Sequence, residues 1–177
     1  LNNTILVLTG DHGANAGFPN RIKSNSPSVL YEMFGDEYHH VPLIFNGPSV
    51  KKGQFKQNCS HIDIAPTIFS LLNIKKPKVF QGISITEPPA KNNNIVIAEN
   101  TGNGLCDIRK KKIVISLRTE KIKVVYEIIN FRVKEREVYN LTVDSWGLNN
   151  IVKTREHQKE RDFLISVAKK RALKLKE

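Results

Sequence analysis

Only two cysteines, Cys59 and Cys106, occur among the 177 residues. Two are too few for a disulfide framework, and neither shows the paired spacing of a thiolate metal site, so two buried free thiols are expected. No apolar run approaches the roughly 18 to 20 residues of a membrane-crossing helix. Leu1 to Thr9 lack a basic flank and a small-residue cleavage site and so do not read as a signal peptide; the stretch reads as a chain entered in the middle of an element. No internal repeat is visible. Acidic residues are the scarce charge: 17 stand against 28 Lys and Arg, for a net +11. The excess is uneven. Residues 1–100 hold nine basic and seven acidic side chains (+2), and residues 101–177 hold nineteen and ten (+9). Such asymmetry suits an acidic partner, but a solvated Lys-rich face is its plainer meaning. The basic residues have no interleaved aromatics and form no nucleic-acid motif, so no nucleic acid partner is expected. Asn2-Asn3-Thr4, Asn58-Cys59-Ser60 and Asn140-Leu141-Thr142 match the glycosylation triplet. In an Asn-rich chain that leaves the compartment undetermined.

What is present is ordinary for a globular chain: 40% apolar and 25% charged residues, enough for one core or a core plus an appendage. Thr4-Ile5-Leu6-Val7-Leu8 is continuously apolar, the pattern of a strand covered on both faces, as in a parallel sheet. Val29 to Phe34 suits a short helix closed by Gly35, and Val41-Pro42-Leu43-Ile44-Phe45 a second strand with proline near its start. Asp63-Ile64-Ala65-Pro66-Thr67 opens a helix, with Asp63 as its cap and Ile64, Ile68, Leu71 and Leu72 as an apolar stripe. Asn73 is its stop, and Ile95-Val96-Ile97-Ala98 makes a third strand. Beyond residue 105, Lys112–Leu117, Ile122–Ile128 and Arg136–Tyr139 read as short strands. Their separations are too small for crossover helices, so this part is expected to be antiparallel. A last helix is predicted over about 155–176, with Phe163, Leu164, Val167, Ala168 and Leu175 on one side.

The chemistry-bearing candidate is Asp11-His12-Gly13, directly after the first strand. In open α/β sheets the carboxyl ends of strands are where ligands bind. A carboxylate beside an imidazole suits a divalent cation, and Gly13 permits the bend that lets both side chains face one ion. Taken alone, a turn-forming aspartate beside a surface histidine is the commoner meaning of this tripeptide.

Context changes that balance. Ile5-Leu6-Val7-Leu8-Thr9-Gly10-Asp11-His12-Gly13 resembles the late strand and metal motif of the sulfatase and phosphonate monoester hydrolase group of the alkaline phosphatase superfamily. Tyr31-Glu32 with His40-Val41-Pro42-Leu43-Ile44-Phe45-Asn46-Gly47-Pro48 is similar to the family's second block. His61-Ile62-Asp63-Ile64-Ala65-Pro66-Thr67-Ile68-Phe69-Ser70-Leu71-Leu72 is similar to its third, and Gln81-Gly82-Ile83-Ser84-Ile85 to the short stretch that follows. Val138-Tyr139-Asn140-Leu141, Asp144 and Asn149-Asn150-Ile151 resemble its closing segment. Five blocks in order cover roughly residues 4–152.

The resemblance implies a metal-dependent sulfuric ester hydrolase acting on an anionic sulfate or phosphate ester. Asp11 and His12 would be two ligands of a divalent metal ion, Ca²⁺ or, given His12, Mn²⁺ or Zn²⁺. Lys23 lies near the family's lysine that contacts the substrate anion, where a cation would hold developing charge; a surface lysine is the alternative. Two departures, Ala14 in place of an acidic residue and Asp144-Ser145 in place of Asp-Pro, mark a divergent member. The family's nucleophile, a formylglycine from a Cys/Ser-x-Pro-x-Arg motif or a Thr or Ser, has no counterpart here. Ser26-Pro27-Ser28-Val29 has the wrong spacing and no arginine. The chain is therefore expected to be the C-terminal part of such an enzyme, inactive by itself and with an apolar sheet edge exposed. His61 could reach the active-site edge, whereas His39 and His40 are expected to be structural or surface residues.

The fold class expected is α/β: part of a mostly parallel alkaline-phosphatase-like sheet with flanking helices over residues 1–104, then a small antiparallel sheet and terminal helix over residues 105–177. A phosphodiester or phosphonate hydrolase, or a phosphoglycerol or phosphoethanolamine transferase, shares the fold and is the alternative within the superfamily. The alternative of another class is a basic polyanion-binding module using Arg109-Lys110-Lys111-Lys112 and the terminal helix. In the enzyme the same cluster would help recruit an anionic substrate.

Overall fold

A computed structural model of the chain describes residues 2–14, 34–87, 95–100 and 112–174. It divides into two compact units, one of Leu1–Gly13 with His40–Asn94 and one of Ala14–His39 with Ile95–Glu177. The fold is mixed α/β with a C-terminal helix. No helix among the described residues is long and apolar enough to cross a membrane.

In the first unit, β1 (Leu6–Thr9) pairs with β2 (Leu43–Asn46), Leu6 opposite Asn46 and Thr9 opposite Leu43. The pairing is antiparallel, not parallel as the unbroken apolar run suggested. Hydrophobic continuity speaks to coverage of a strand's faces and says nothing about its neighbour's direction. Leu6, Leu8 and Ile44 share one face of the pair and are each about half exposed, at 49%, 53% and 53%. Pro42 sits just before β2, where its missing N–H breaks no ladder bond.

A 3-10 turn at His61–Asp63 leads into α2 (Ile64–Leu71), the helix that follows α1 (Asp36–His39) in chain order. Asp63 is the N-cap residue of α2, as expected, but its side chain bonds none of that helix's own amides. Its carboxylate instead accepts from the Ser60 amide at 2.8 Å and from the Ile83 amide at 2.9 Å. The helix then continues the docking at one-turn intervals. Thr67 Oγ1 donates to the Asp63 carbonyl (2.6 Å) and accepts from the Ile85 amide (3.1 Å), and the Ser70 and Thr86 hydroxyls meet at 2.9 Å. Residues 63, 67 and 70 lie on one helical face, so residues 83–86 are laced to α2 by polar bonds. The apolar stripe expected to be the buried face is only partly covered, and Leu72 is 51% exposed. The polar ladder took the inner face because it satisfies backbone amides that no strand pairs. Helix termination matches expectation: α2 stops before Asn73, whose φ of 54° is left-handed.

In the second unit β3 (Val96–Asn100), β4 (Lys112–Arg118), β5 (Ile122–Ile129) and β6 (Arg132–Asn140) form an antiparallel sheet in sequence order. The third strand anticipated from Ile95 to Ala98 thus joins this sheet, Val96 opposite Arg118. Strand β6 starts four residues earlier than its apolar pattern indicated. The two-residue turn Asn130-Phe131, with φ of 48° and 66°, lets Arg132 pair directly with Ile129. Helix α3 (Gln158–Lys174) buries Arg161, Leu164, Ala168 and Ala172. With Ile115, Leu117, Ile122, Val124, Tyr126 and Ile128, the three apolar residues Leu164, Ala168 and Ala172 form the larger core cluster. Phe163, expected on the inner side, is 46% exposed. The short helix anticipated from Val29 lies outside the described residues apart from Phe34, and α1 follows Gly35 instead.

The sheet's other face is also covered, by different chemistry. Phe34 packs there with Val114, Val125, Tyr139 and Leu141. Beside them the Asp36 carboxylate, 4% exposed, accepts from Arg118 Nη1 at 2.7 Å to both oxygens and from Lys123 Nζ at 3.0 Å. Lys123 also donates to the Phe34 carbonyl (3.2 Å) and lies 4.9 Å from the centre of the Tyr139 ring. Asp36 therefore bridges two cations and pins residues 34–39 to β4 and β5.

Two substitutions test these arrangements. Asp36→Ala removes the carboxylate from a buried pair and should lower stability by roughly 3–5 kcal/mol in urea denaturation, with a substantial part recovered in Asp36→Ala/Lys123→Met. A Cβ at Gly82 would stand 2.1 Å from the Ile62 carbonyl oxygen, a backbone atom that cannot swing away. Gly82→Ala should therefore cost on the order of 1–3 kcal/mol by the same measurement.

Candidate active site at the end of the first strand

Strand β1 ends at Thr9, and the chain bends sharply through Gly10 to Asp11 and His12. The bend is tight: a Cβ at Gly10 would lie 3.3 Å from the His12 carbonyl oxygen and 3.4 Å from Val41. It brings the two candidate side chains together, Asp11 Oδ2 facing His12 Nε2 at 3.7 Å, both largely exposed. Asp11 Oδ1 accepts the His12 backbone N–H at 2.9 Å.

The hydrogen bonds fix proton positions. His12 Nδ1 lies 2.6 Å from the Gly13 carbonyl. A carbonyl only accepts, so Nδ1 carries a proton, and Nε2 is the ring atom that faces Asp11. The Asp11 carboxyl is held below the ordinary carboxylate range, chiefly by the backbone N–H of His12, then by the His12 and His61 side chains. A stable carboxylate beside an imidazole nitrogen is a donor set that two ligands of one divalent cation would have. Among the described residues no group of three or more His, Cys, Asp or Glu side chains is placed to hold a metal ion. The pair would supply part of a coordination sphere.

His61, in the 3-10 turn, is brought to the same strand end, with Nε2 3.3 Å from Thr9 Oγ1. Thr9 itself was not anticipated. A threonine closing a strand carries no signal until the residue facing its hydroxyl is known. His39 ends α1 in the other unit, its ring 5.7 Å from that of Phe34, and His40 is exposed. Lys23, Tyr31-Glu32, Ser26-Pro27-Ser28, Cys106 and Arg109-Lys110-Lys111 lie outside the described residues. Lys112 begins β4.

The Sulfatase family profile matches residues 1–74. The uncharacterized sulfatase YidJ of Escherichia coli is 28% identical over 153 residues, covering 80% of this chain and 29% of YidJ. The Delta 4,5-hexuronate-2-O-sulfatase of Bacteroides thetaiotaomicron is 32% identical over 108 residues, covering 55% of this chain and 21% of that enzyme. Among solved structures, a 2-O GAG sulfatase superposes with a TM-score of 0.68 at 21% identity, over 99% of this chain and 37% of that one. At that identity the likeness establishes the fold. The chain spans less than a third of the length of these curated relatives.

Cys59, expected to be a buried free thiol, is a half-buried one near Asp63. Burial, then the Asp63 carboxylate, pushes its pKa up from the ordinary thiol value, which suppresses the nucleophilic thiolate. Iodoacetamide should modify Cys59 several-fold more slowly at pH 8.5 than an exposed cysteine in a peptide. Mass spectrometry of the labelled protein reads the rate, and a peptide-like rate would contradict the assignment.

Proposed function

We propose that the chain, whose residues 1–74 match the Sulfatase family profile, forms part of a metal-dependent sulfuric ester hydrolase and supplies Asp11 and His12 as two ligands of a divalent metal ion. The observation that carries this is the paired donor set at the carboxyl end of β1: the Asp11 carboxylate 3.7 Å from the Nε2 of an imidazole whose other nitrogen, Nδ1, is held by the Gly13 carbonyl. A bound ion would supply electrostatic stabilisation of the ester's anionic group.

The chain's own contribution is to hold those donors. The His12 amide favours the ionised form of Asp11, and the Gly13 carbonyl holds His12 Nδ1 so that Nε2 is the ring atom turned toward Asp11. Lys23 is our candidate for contact with the substrate anion. The nucleophile is placed in another part of the polypeptide, since no Cys or Ser in this sequence is followed by Pro and Arg at the family's spacing; these residues alone should turn over nothing. Two relatives named for 2-O-sulfatase activity, on a hexuronate and on GAG, make a sulfated saccharide the substrate class we favour.

The test uses the full-length protein. Bound metal is identified after purification, and a sulfated unsaturated disaccharide, an aryl sulfate, a phosphate diester and a phosphonate are assayed side by side. The sulfated disaccharide should be cleaved best. Asp11→Asn should lose bound metal and reduce the rate by at least 10²–10³-fold, roughly the scale of removing one preorganised charge-stabilising group. Preference for a phosphate diester would assign the phosphoryl branch of the superfamily. A protein that binds no metal and cleaves no ester would return the basic stretch over residues 101–177 to first place, as a polyanion-binding surface.

A further inference from the structure

We propose that His61 is a positioning residue for the Asp11–His12 pair, acting through Thr9. The inference rests on the metal-site reading above and extends it to two residues outside the pair.

The Thr9 hydroxyl has one proton, and it lies 3.2 Å from the Gly10 carbonyl, which can only accept. Toward His61 Nε2, at 3.3 Å, Thr9 Oγ1 is therefore the acceptor, and His61 Nε2 carries the proton. A single threonine oxygen thus links the imidazole of His61 to the carbonyl of Gly10, the residue at which the chain bends into Asp11. Both ends of this link are held. On one side, Gly10 is crowded by the His12 carbonyl and Val41. On the other, the turn carrying His61 is gripped by the Asp63 carboxylate bonding the Ser60 and Ile83 amides, and by Gly82 lying against the Ile62 carbonyl. A side chain on a turn this constrained transmits the position of α2 and residues 82–86 to the end of β1. Residues that orient metal ligands without touching the ion commonly change affinity by about 10–100-fold when removed.

The experiment is a double-mutant cycle on ion binding by the full-length protein, read by isothermal titration calorimetry with Mn²⁺ and with Ca²⁺, beside thermal unfolding in EDTA. His61→Ala and Thr9→Ala should each weaken binding by about 10–100-fold. The double variant should be no weaker than either single one, because both remove the same link. His61→Gln, which keeps a donor, and Thr9→Ser, which keeps the hydroxyl, should bind within about threefold of the parent, and the metal-free unfolding midpoints should agree. Undiminished binding by His61→Ala, additive losses, or a fall in metal-free stability that Gln does not rescue would each overturn the proposal. If the parent binds an ion that Asp11→Asn loses while His61→Ala keeps it, this inference fails and the metal-site reading stands. A parent protein that takes up neither ion defeats both.

Discussion

The carboxylate of Asp63 accepts amides from Ser60 and from Ile83, twenty residues further along the chain, and much of the first unit is arranged around that double bond. One oxygen closes the turn that carries His61, and the other draws residues 83–86 against α2, where Thr67 and Ser70 continue the lacing. The approach is close enough that residue 82 has no room for a side chain. Removing the Asp63 carboxylate or the Thr67 hydroxyl would leave a backbone amide in a partly buried place without its acceptor, an asymmetry that makes such networks expensive to break. A turn fixed this way can carry a functional side chain at its tip, because the tip does not have to be held by the ligand.

The second unit solves a different problem, a sheet covered on both faces. Toward α3 it uses aliphatic side chains at alternate positions of β4 and β5. On the far face the alternate positions include Ser116, Lys123 and Glu127, all buried. The charges are tolerated because they are matched: Lys123 and Arg118 meet Asp36, and Arg136 lies 3.5 Å from Glu127. Buried ion pairs of this kind confer geometry more than net stability. Here the geometry gained is the fixed position of residues 34–39, which lie in the chain between the Asp11–His12 pair and β2.

The sequence blocks that resemble the sulfatase family acquire physical meaning in this light. Gly82 is the close approach, Asp63 the double acceptor, and Thr67 the next rung. In the closing segment, Asp144 Oδ2 accepts the Leu148 and Asn149 amides at 2.8 and 2.7 Å. Asn150 Oδ1 takes those of Val138 and Val152 at 3.1 and 3.0 Å. Most of these motif residues are side chains that satisfy backbone groups where no regular element does. Asp11 and His12 are of another kind: their exposed polar atoms face each other at the end of a strand.

The amino-acid sequence by itself determined the local elements and the candidates for chemistry. Period-two alternation in Ile122–Ile128, the helix start at Ile64, the stop at Asn73 and the Asp-His pair after an apolar strand are all encoded by neighbours within a few residues, and neighbours are what sequence patterns report. Strand direction and partners were decided only in three dimensions. Nothing in Leu6 to Leu8 says that the strand beside it runs antiparallel, and nothing in Val96 to Ala98 says that it joins the sheet of β4 to β6. The same holds for Asp63, whose local context is that of a helix cap and whose acceptor sites were claimed by an amide twenty residues away. It holds for Lys123 as well, a polar position in an alternating strand until Asp36, 87 residues distant, makes it part of the interior. Hydrogen bonds and ion pairs act through space, so a residue's role depends on what the fold brings to it.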